Sequence, residues 1–180
     1  MNKNFLLIGI LAIIVIAGLS IFAFSGDSSS DYVVEDTPDG GKKLVNYTGN
    51  DSEVNIPDEL KITVIGQGAF TDTDVRKVKS NTVKDVEEFA FYGKNNLTTI
   101  DFPNIETIGD YAFCECEKLS SFLANPNLKS IGKNAFTKGE ILTPEELSLD
   151  IGKYLGFKSI KKDYVLANNV VVHEYVYEKI

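Results

Sequence analysis

Apolar residues recur along the middle of the chain with a period of about 22 residues. Four short segments share Ile or Val at their first position and Ala-Phe at their fifth and sixth positions. They begin at Ile65, Val86, Ile108 and Ile131, which are 21, 22 and 23 residues apart. A second series of apolar pairs keeps step with the first, at Val75 and Val78, Leu97 and Ile100, and Leu119 and Phe122. Two series in constant phase indicate a repeated structural unit.

The unit that begins at Leu97 shows how one repeat is built. Apolar side chains alternate toward the end of residues 97–102, which is typical of a short extended segment. Pro103 ends that segment because proline has no N–H for a strand ladder. A turn begins at Ile108, after which Ala112 is small enough for close packing and Phe113 is large enough to fill the space between layers. The pattern predicts one short strand and one turn or helical segment per repeat.

A unit of this length is too small to enclose its own Leu, Ile and Phe side chains. Each unit must therefore lie against its neighbours, and the strands of successive units then form a parallel sheet over a continuous core. We predict a solenoid on these grounds.

The shared pattern, I-G-x-x-A-F followed by x-x-C-x-x-L-x-x-I and Pro, resembles the BspA-like leucine-rich repeats of microbial surface proteins. Residues 108–122 match it at every hydrophobic position, including Cys116, and the likeness extends from Val45 to about Leu142. The resemblance implies a curved leucine-rich-repeat solenoid that serves adhesion or protein binding at a cell surface. It implies no catalytic residues.

Three features depart from the family pattern. Glu87 stands where the family usually has Gly, Asn81 stands where it usually has Pro, and the unit from Phe70 to Val75 is one residue short. We therefore expect the second strand to be irregular. Residues 54–57 resemble the half-unit that commonly opens such arrays.

The first 25 residues form a separate segment. Residues 5–24 contain no charge and are almost entirely apolar, and as a helix they would rise about 30 Å, the thickness of a bilayer's hydrocarbon core. We interpret residues 1–25 as one transmembrane helix; the alternative is a signal sequence cleaved near Ala23-Phe24-Ser25. Lys3 before the segment and acidic residues after it favour the C-terminal domain outside. We expect a single-pass membrane protein, or a secreted one if the segment is cleaved.

Residues 26–42 join this segment to the repeats. They are rich in Ser, Asp and Gly and have few large apolar side chains, which is typical of a flexible acidic linker. The repeat array then occupies residues 43–142.

The last region, residues 143–180, no longer follows the repeat. The sequence Thr143-Pro144-Glu145-Glu146 predicts the start of a helix. Two apolar runs at 164–167 and 170–177 flank Asn168-Asn169 and predict a β-hairpin. We expect this helix and hairpin to form a cap on the array.

Charge and motifs limit the possible functions. The formal net charge of −8 argues against nucleic acid or an anionic lipid surface as a partner. The sequence contains no calcium loop, phosphate loop or nucleophile elbow, so we predict no enzyme activity, no metal and no cofactor. The expected partner is a protein or a surface glycan, with membrane contact through the N-terminal segment. The alternative is a structural or assembly scaffold of the cell envelope.

The open face of the predicted sheet is the candidate binding surface. Its side chains lie between the inward apolar positions of successive strands, in the way that parallel solenoids present residues to extended partners. The candidate residues are Arg76, Lys77, Lys79, Thr98, Thr99, Asp101, Ser120, Ser121 and Leu123.

Other residue types with possible chemistry have simpler interpretations. Cys114 and Cys116 supply only half of a structural zinc site, and we interpret Cys116 as a small buried core residue. His173 lies in an alternating strand, where a structural role is expected; a site near it is the rival hypothesis of a membrane-tethered enzyme. Three Asn-x-Ser/Thr sequences are possible glycosylation sites, at Asn46, Asn50 and Asn96.

Overall fold

The structure consists mainly of short strands and the turns that join them. The computed structural model of the chain describes residues 12–16, 19–23, 31–123, 127–137, 155–165 and 171–180. A 3-10 helix lies at Asp58–Leu60. The strands are β1 (Ala12–Ile16), β2 (Leu19–Ala23), β3 (Tyr32–Asp36), β4 (Lys42–Tyr47), β5 (Glu53–Asn55), β6 (Ile62–Ile65), β7 (Lys77–Lys79), β8 (Asp85–Val86), β9 (Thr99–Asp101), β10 (Thr107–Ile108), β11 (Ser121–Leu123), β12 (Ser130–Ile131), β13 (Phe157–Val165) and β14 (Val171–Lys179).

The repeats form a solenoid in which each turn contributes a strand to two sheets. Sheet 1 contains β5, β7, β9 and β11, all parallel. Sheet 2 has the order β12, β10, β8, β6, β4 and β3, and it is parallel except for the β3–β4 pair. The solenoid is as predicted, but the single strand per repeat is wrong. The second strand is only two residues long in three of the turns, and so short a run gives no period that a sequence pattern could reveal.

The strand registers account for the period of the sequence. In sheet 1, Val78 pairs with Ile100 and Ile100 with Phe122. In sheet 2, the residues that open the four repeated segments pair in order, at Ile65, Val86, Ile108 and Ile131. All of these side chains are buried. A constant period therefore places the same apolar residue at the same depth in each turn.

The Ala and Phe residues of the four segments lie in the core at equivalent positions. Ala69, Ala90, Ala112 and Ala135 are at most 1% exposed. The rings of Phe70, Phe91, Phe113 and Phe136 stack on one another with centroid distances of 4.8, 5.1 and 5.3 Å and interplanar angles of 15°, 11° and 7°. The alanines leave room for these rings, because a larger side chain at that depth would displace them.

The stacked rings continue beyond the four repeats at both ends. Tyr47 packs on Phe70 at 5.5 Å, and Tyr32 packs on Tyr47 at 5.1 Å. At the other end, Tyr177 of β14 meets Phe136 edge-on at 6.3 Å. We call these seven rings, from Tyr32 to Tyr177, the aromatic column. It joins the first and last described elements of the array through one line of contacts.

Close approach of neighbouring turns explains the recurrent glycine. A Cβ at Gly109 would lie 2.5 Å from the backbone N of Glu88, and a Cβ at Gly132 would lie 2.3 Å from the backbone N of Asp110. Glu87 occupies the equivalent position, yet its N–H still donates to the carbonyl of Ile65 at 2.9 Å. The backbone hydrogen bonds of sheet 2 are therefore kept at Glu87. In sheet 1, β7 pairs with β5 and with β9 without a register shift. The irregular second strand that we expected is not found.

The N-terminal end of the array is a hairpin of β3 and β4. Tyr32 and Val34 are buried, and the turn between the strands is closed by a hydrogen bond from Gly40 N–H to the carbonyl of Thr37. This corrects the predicted linker over residues 26–42, of which residues 32–36 form a strand. The sequence Thr37-Pro38-Asp39-Gly40 is typical of a tight turn. By composition alone, the same residues resemble a flexible linker.

Strands also replace part of the predicted transmembrane helix. β1 pairs antiparallel with β2, with Ala12 opposite Ala23 and Ile16 opposite Leu19. The helix predicted over residues 1–25 is therefore not confirmed. Ile, Val and Phe are both hydrophobic and strand-favouring, so hydropathy does not separate the two structures. Among the described residues, no helical segment has the length and hydropathy to cross a bilayer.

The C-terminal region contains the expected hairpin, with longer strands than predicted. β13 pairs antiparallel with β14 from Phe157 opposite Lys179 to Val165 opposite Val171. The helix predicted to begin at Thr143 lies outside the described residues. β14 contacts the last turn of the array: Asn134 N–H donates to the carbonyl of Tyr175, and Phe136 N–H donates to Tyr177 Oη.

Truncation of Phe113 tests the buried column. Phe113→Ala should lower the free energy of unfolding by about 3–5 kcal/mol, because it opens a cavity between Phe91 and Phe136. Thr99→Ala, on the outer side of β9, should change it by less than about 0.5 kcal/mol. Urea unfolding followed by circular dichroism measures both values. Equal losses at the two positions would contradict the assignment of inner and outer residues.

Candidate binding surface

The predicted candidate residues lie together on the outer side of sheet 1. One row of the sheet pairs Lys77 with Thr99 and Thr99 with Ser121, and another pairs Lys79 with Asp101 and Asp101 with Leu123. Between these rows the residues Val78, Ile100 and Phe122 point inward and are buried. The side chain of Leu123 is outside the described part. We call this surface, together with the residue that precedes each strand, the sheet 1 face.

The residues that precede the strands continue the same order. Thr98 N–H donates to the carbonyl of Arg76 at 2.8 Å, and Ser120 N–H donates to the carbonyl of Thr98 at 3.1 Å. Arg76 and Ser120 are exposed, and Thr98 is partly exposed with its hydroxyl donating to the carbonyl of Arg76. Backbone hydrogen bonds therefore fix the spacing of a third row on the sheet 1 face.

The charges of the sheet 1 face are largely paired within it. Lys77 Nζ lies 2.7 Å from a Glu53 carboxylate oxygen, and Lys79 Nζ lies 3.1 Å from an Asp101 oxygen. The hydrogen bond from Lys77 lowers the pKa of the Glu53 carboxyl. These pairs are solvent-exposed and contribute little to stability. Their effect is to make the face nearly neutral, although the chain as a whole is acidic.

The hydroxyl groups of the sheet 1 face lie around β9 and β11. Thr98 and Thr99 are neighbours in one turn, and Ser120 and Ser121 follow in the next. Hydroxyls donate and accept hydrogen bonds without the desolvation penalty of a charge. This half of the face can therefore meet a polar partner surface at low cost.

The three possible glycosylation sites differ in accessibility. Asn50 is exposed, whereas Asn46 lies within β4 opposite Val33 and is partly buried. Asn96 donates from Nδ2 to Asp74 at 2.7 Å and accepts from Lys118 Nζ at 2.7 Å. A glycan at Asn96 would disrupt this hydrogen bond to Asp74, so the geometry favours Asn50.

The two cysteines are part of the core. The Cys116 thiol donates to the carbonyl of Phe91 at 3.1 Å, and burial raises the pKa of this thiol to about 12. Cys114 Sγ lies 3.2 Å from Thr137 Oγ1 and is also buried. A buried thiol that stays protonated is a poor nucleophile and a poor metal ligand. Within the described residues, no group of three or more His, Cys, Asp or Glu side chains is arranged to hold a metal ion.

His173 forms a cross-strand pair in the C-terminal hairpin. Its Nδ1 lies 2.7 Å from Asp163 Oδ1, on the strand position directly opposite. The hydrogen bond lowers the pKa of the Asp163 carboxyl. The pair joins β13 to β14.

The structure also reveals a group of residues that the sequence analysis did not select. One position in each of four turns has a left-handed backbone, with φ between +51° and +65°, at Gly68, Phe89, Tyr111 and Asn134. This conformation costs an L-residue other than glycine about 1–2 kcal/mol, and Asn tolerates it better than Phe or Tyr. The N–H groups of the last three residues donate to carbonyls one turn further on. The left-handed conformation therefore supports the backbone hydrogen bonds between neighbouring turns. It does not require an aromatic side chain.

Phe89 and Tyr111, which are partly exposed, form an aromatic cluster with the exposed Tyr92. The rings of Phe89 and Tyr111 stack at 5.1 Å with an interplanar angle of 13°, and Tyr92 meets Phe89 at 5.7 Å and 74°. Tyr92 is 43% exposed, and its hydroxyl donates to Glu115 at 2.8 Å. The sequence signal for this cluster is that aromatic residues occupy a repeat position where Gly and Asn would suffice.

A shallow depression of about 400 Å³ lies on sheet 2 beside these aromatic residues. Asp85, Glu87 and Asp110 line it, together with the backbone of β8, β10 and β12. Thr107 Oγ1 donates to Asp85 at 2.5 Å, and Lys133 N–H donates to Asp110 at 2.8 Å. Lys129 and Lys133 interact with Asp85 and Asp110, so the carboxylates of this depression also have cationic neighbours.

The architecture defines a class of protein: a parallel two-sheet repeat solenoid with a fully buried core and ordered outer rows. The BspA type leucine rich repeat region matches residues 41–154 in six copies, which is more than half of the chain. The chain belongs to this leucine-rich-repeat family. Comparison with curated proteins gives no match.

Solved structures show related folds. A leucine-rich repeat protein from Bacteroides capillosus has a TM-score of 0.50 at 24% identity, over 56% of this chain and 83% of that chain. The leucine rich repeat protein of T. pallidum has a TM-score of 0.43 at 21% identity, over 60% of this chain and 64% of that one. A leucine rich cell surface protein from Faecalibacterium prausnitzii has a TM-score of 0.45 at 16% identity, over 78% of this chain and 58% of that one. At 24% identity, the first likeness supports the fold alone.

Proposed function

We propose that this chain is a non-catalytic binding protein of the cell surface that holds another protein on the sheet 1 face. The observation that carries the proposal is the register of that face: three rows of outward side chains repeat over β7, β9 and β11. Adjacent strands place successive residues of one row about 4.8 Å apart, which matches the spacing of groups on an extended partner or a second sheet. Members of the leucine-rich-repeat family typically act as binding scaffolds.

The chemistry of the sheet 1 face favours a protein partner. Lys77 and Lys79 already have carboxylate neighbours, so a strongly anionic partner would have to compete with Glu53 and Asp101. The hydroxyl groups of Thr99 and Ser121 suit the polar groups of a protein surface. A glycan would use the same hydroxyls, but the described part of this face offers no exposed aromatic ring for stacking on a sugar.

The apolar N-terminal segment supports placement at the outer face of a membrane. Residues 5–24 carry no charge, and five acidic residues follow the segment before Lys42. We propose that the segment either anchors the domain or exports it before cleavage. The support for this proposal is the composition of the segment alone, because the structure has the strands β1 and β2 within these residues.

Site-specific photocrosslinking on intact cells tests the binding proposal. A benzoylphenylalanine at Thr99 should give an adduct with another protein, whereas the same residue at Asp72, which is exposed in the turn after Phe70, should give none. Protease added outside the cells should degrade the adduct if the domain is external. Absence of an adduct at Thr99, or equal adducts at both positions, would overturn the proposal. Adducts with a second copy of the chain alone would instead support the scaffold function.

We also propose that the C-terminal hairpin caps the array by imitating a further turn. In earlier turns, Phe91 N–H donates to Ala112 and Phe113 N–H donates to Ala135. The N–H of Phe136 instead donates at 3.2 Å to the hydroxyl of Tyr177 in the hairpin. Asn134 N–H likewise donates to the carbonyl of Tyr175. At the equivalent position one turn earlier, Tyr111 N–H donates to the carbonyl of Lys133.

Removal of one hydroxyl tests the cap. Tyr177→Phe leaves the Phe136 N–H without this acceptor and should lower the free energy of unfolding by about 1–3 kcal/mol. Tyr164→Phe is the matched control, because it removes an exposed hydroxyl that bonds Glu174 within the hairpin, and it should be nearly neutral. Hydrogen exchange of the Phe136 amide should accelerate in the first variant only. Unchanged exchange at Phe136 would refute the proposed cap contact.

A further inference from the structure

We propose that the open face of the Phe89 ring binds an arginine side chain from a basic protein segment. This site lies on the sheet 2 side of the solenoid. It is separate from the sheet 1 face, and it does not depend on the function proposed for that face. The proposal follows from the side chains at the left-handed position, from the contacts of Tyr92 and from the charges beside Gly68.

Two of the four left-handed positions carry aromatic rings. Phe89 and Tyr111 stack face to face because they occupy that position in adjacent turns. The preceding turn has Gly68 there, with φ of +65° and no side chain. A Cβ built on Gly68 meets only Thr71 Oγ1, at 2.9 Å, within 4 Å. Among the described residues, no ring therefore stacks on Phe89 from the Gly68 position.

Tyr92 does not fill the space beside Gly68. Its hydroxyl donates to Glu115 of the following turn. No atom of Tyr92 lies within 4 Å of a Cβ built on Gly68, which belongs to the preceding turn.

Two glutamates lie close to Gly68 and Phe89 in the structure or in the sequence. Glu87 Oε2 accepts the N–H of Gln67, the residue before Gly68, at 3.1 Å. Glu88, the neighbour of Phe89 in sequence, is exposed. Lys43 lies 3.4 Å from Glu87 but only 2.6 Å from Glu35, so its charge is shared between two acids. The local balance is acidic and favours a cation.

Arginine fits this combination better than other cations. A planar guanidinium can stack on an aromatic face while its N–H groups donate to carboxylates, whereas the ammonium of lysine is compact and strongly hydrated. The depression that Glu87 lines together with Asp85 and Asp110 lies further along sheet 2. Lys129 and Lys133 of the chain itself already interact with Asp85 and Asp110. The proposed ligand is therefore one arginine side chain of a basic segment, placed on the Phe89 ring near Glu87.

Fluorescence anisotropy with a labelled nonapeptide of alternating Arg and Gly tests the proposal on the full-length chain in detergent micelles. Peptides with Lys or Glu in place of Arg serve as comparison probes. We expect binding of the Arg peptide at least about threefold tighter than that of the Lys peptide, and no binding of the Glu peptide. Equal affinity for Arg and Lys would show attraction by net charge only and would overturn the proposal.

Two variants locate the binding to the open face. Phe89→Asn removes the ring and keeps a residue that tolerates the left-handed backbone, as Asn134 does; it should weaken Arg-peptide binding about fivefold. Gly68→Phe fills the open position with a third ring and should weaken binding similarly while leaving Phe89 in place. Tyr111→Asn makes the same change one turn further on and should alter affinity less than twofold.

The outcomes of these variants are decisive when circular dichroism shows that the fold is kept. Equal affinity for the parent, Phe89→Asn and Gly68→Phe proteins would refute the site. An equal loss in Tyr111→Asn and Phe89→Asn would show that binding needs the whole cluster and not the open face. If Phe89→Asn fails to fold, the loss in Gly68→Phe alone carries the test. Binding of neutral oligosaccharides that depends on Phe89 would replace arginine with a sugar as the ligand and overturn the proposal.

Discussion

Stacking of successive turns is the constraint on which the whole structure depends. No turn buries its apolar residues alone, and the aromatic column from Tyr32 to Tyr177 is the most direct contact between one turn and the next. The buried alanines and the close approach at Gly109 keep the turns near enough for these rings to meet. The sheets, the turns and the outer faces all take their spacing from this repeat.

The same constraint separates the residues that maintain the fold from those available for binding. Inward positions accept little variation, because each contacts the equivalent residue in two neighbouring turns. Outward positions carry no such restriction, and here they differ between the two sheets. The sheet 1 face is rich in hydroxyls with paired charges, whereas the sheet 2 side combines carboxylates with the Phe89 cluster. One solenoid can therefore present two chemically distinct surfaces.

The sequence predicted most features that repeat, apart from the second strand of each turn, and it missed several that occur once, although the C-terminal hairpin was predicted. The period identified the solenoid, the buried alanines and the stacked phenylalanines, because each is written several times in the chain. The N-terminal hairpin was missed, since Tyr32 and Val34 lie in a stretch whose composition resembles a linker. The left-handed backbone at Phe89 could not be inferred, because an aromatic residue gives no sign of positive φ. Tyr177 as an acceptor for Phe136 depends on a tertiary contact between distant residues, which no local pattern encodes.

Deletion of one complete turn tests most directly whether stacking in register holds the molecule together. Removal of residues 89–110 joins Glu88 to Tyr111 and restores the sequence pattern with one turn fewer. We expect this shortened chain to keep its strand signal in circular dichroism and to unfold cooperatively, at a lower denaturant concentration than the parent. Removal of residues 89–99, which is half a turn, should abolish cooperative unfolding, because the inward side chains no longer meet their equivalents. If the two deletions had the same effect, stacking of equivalent turns would not be what stabilises this fold.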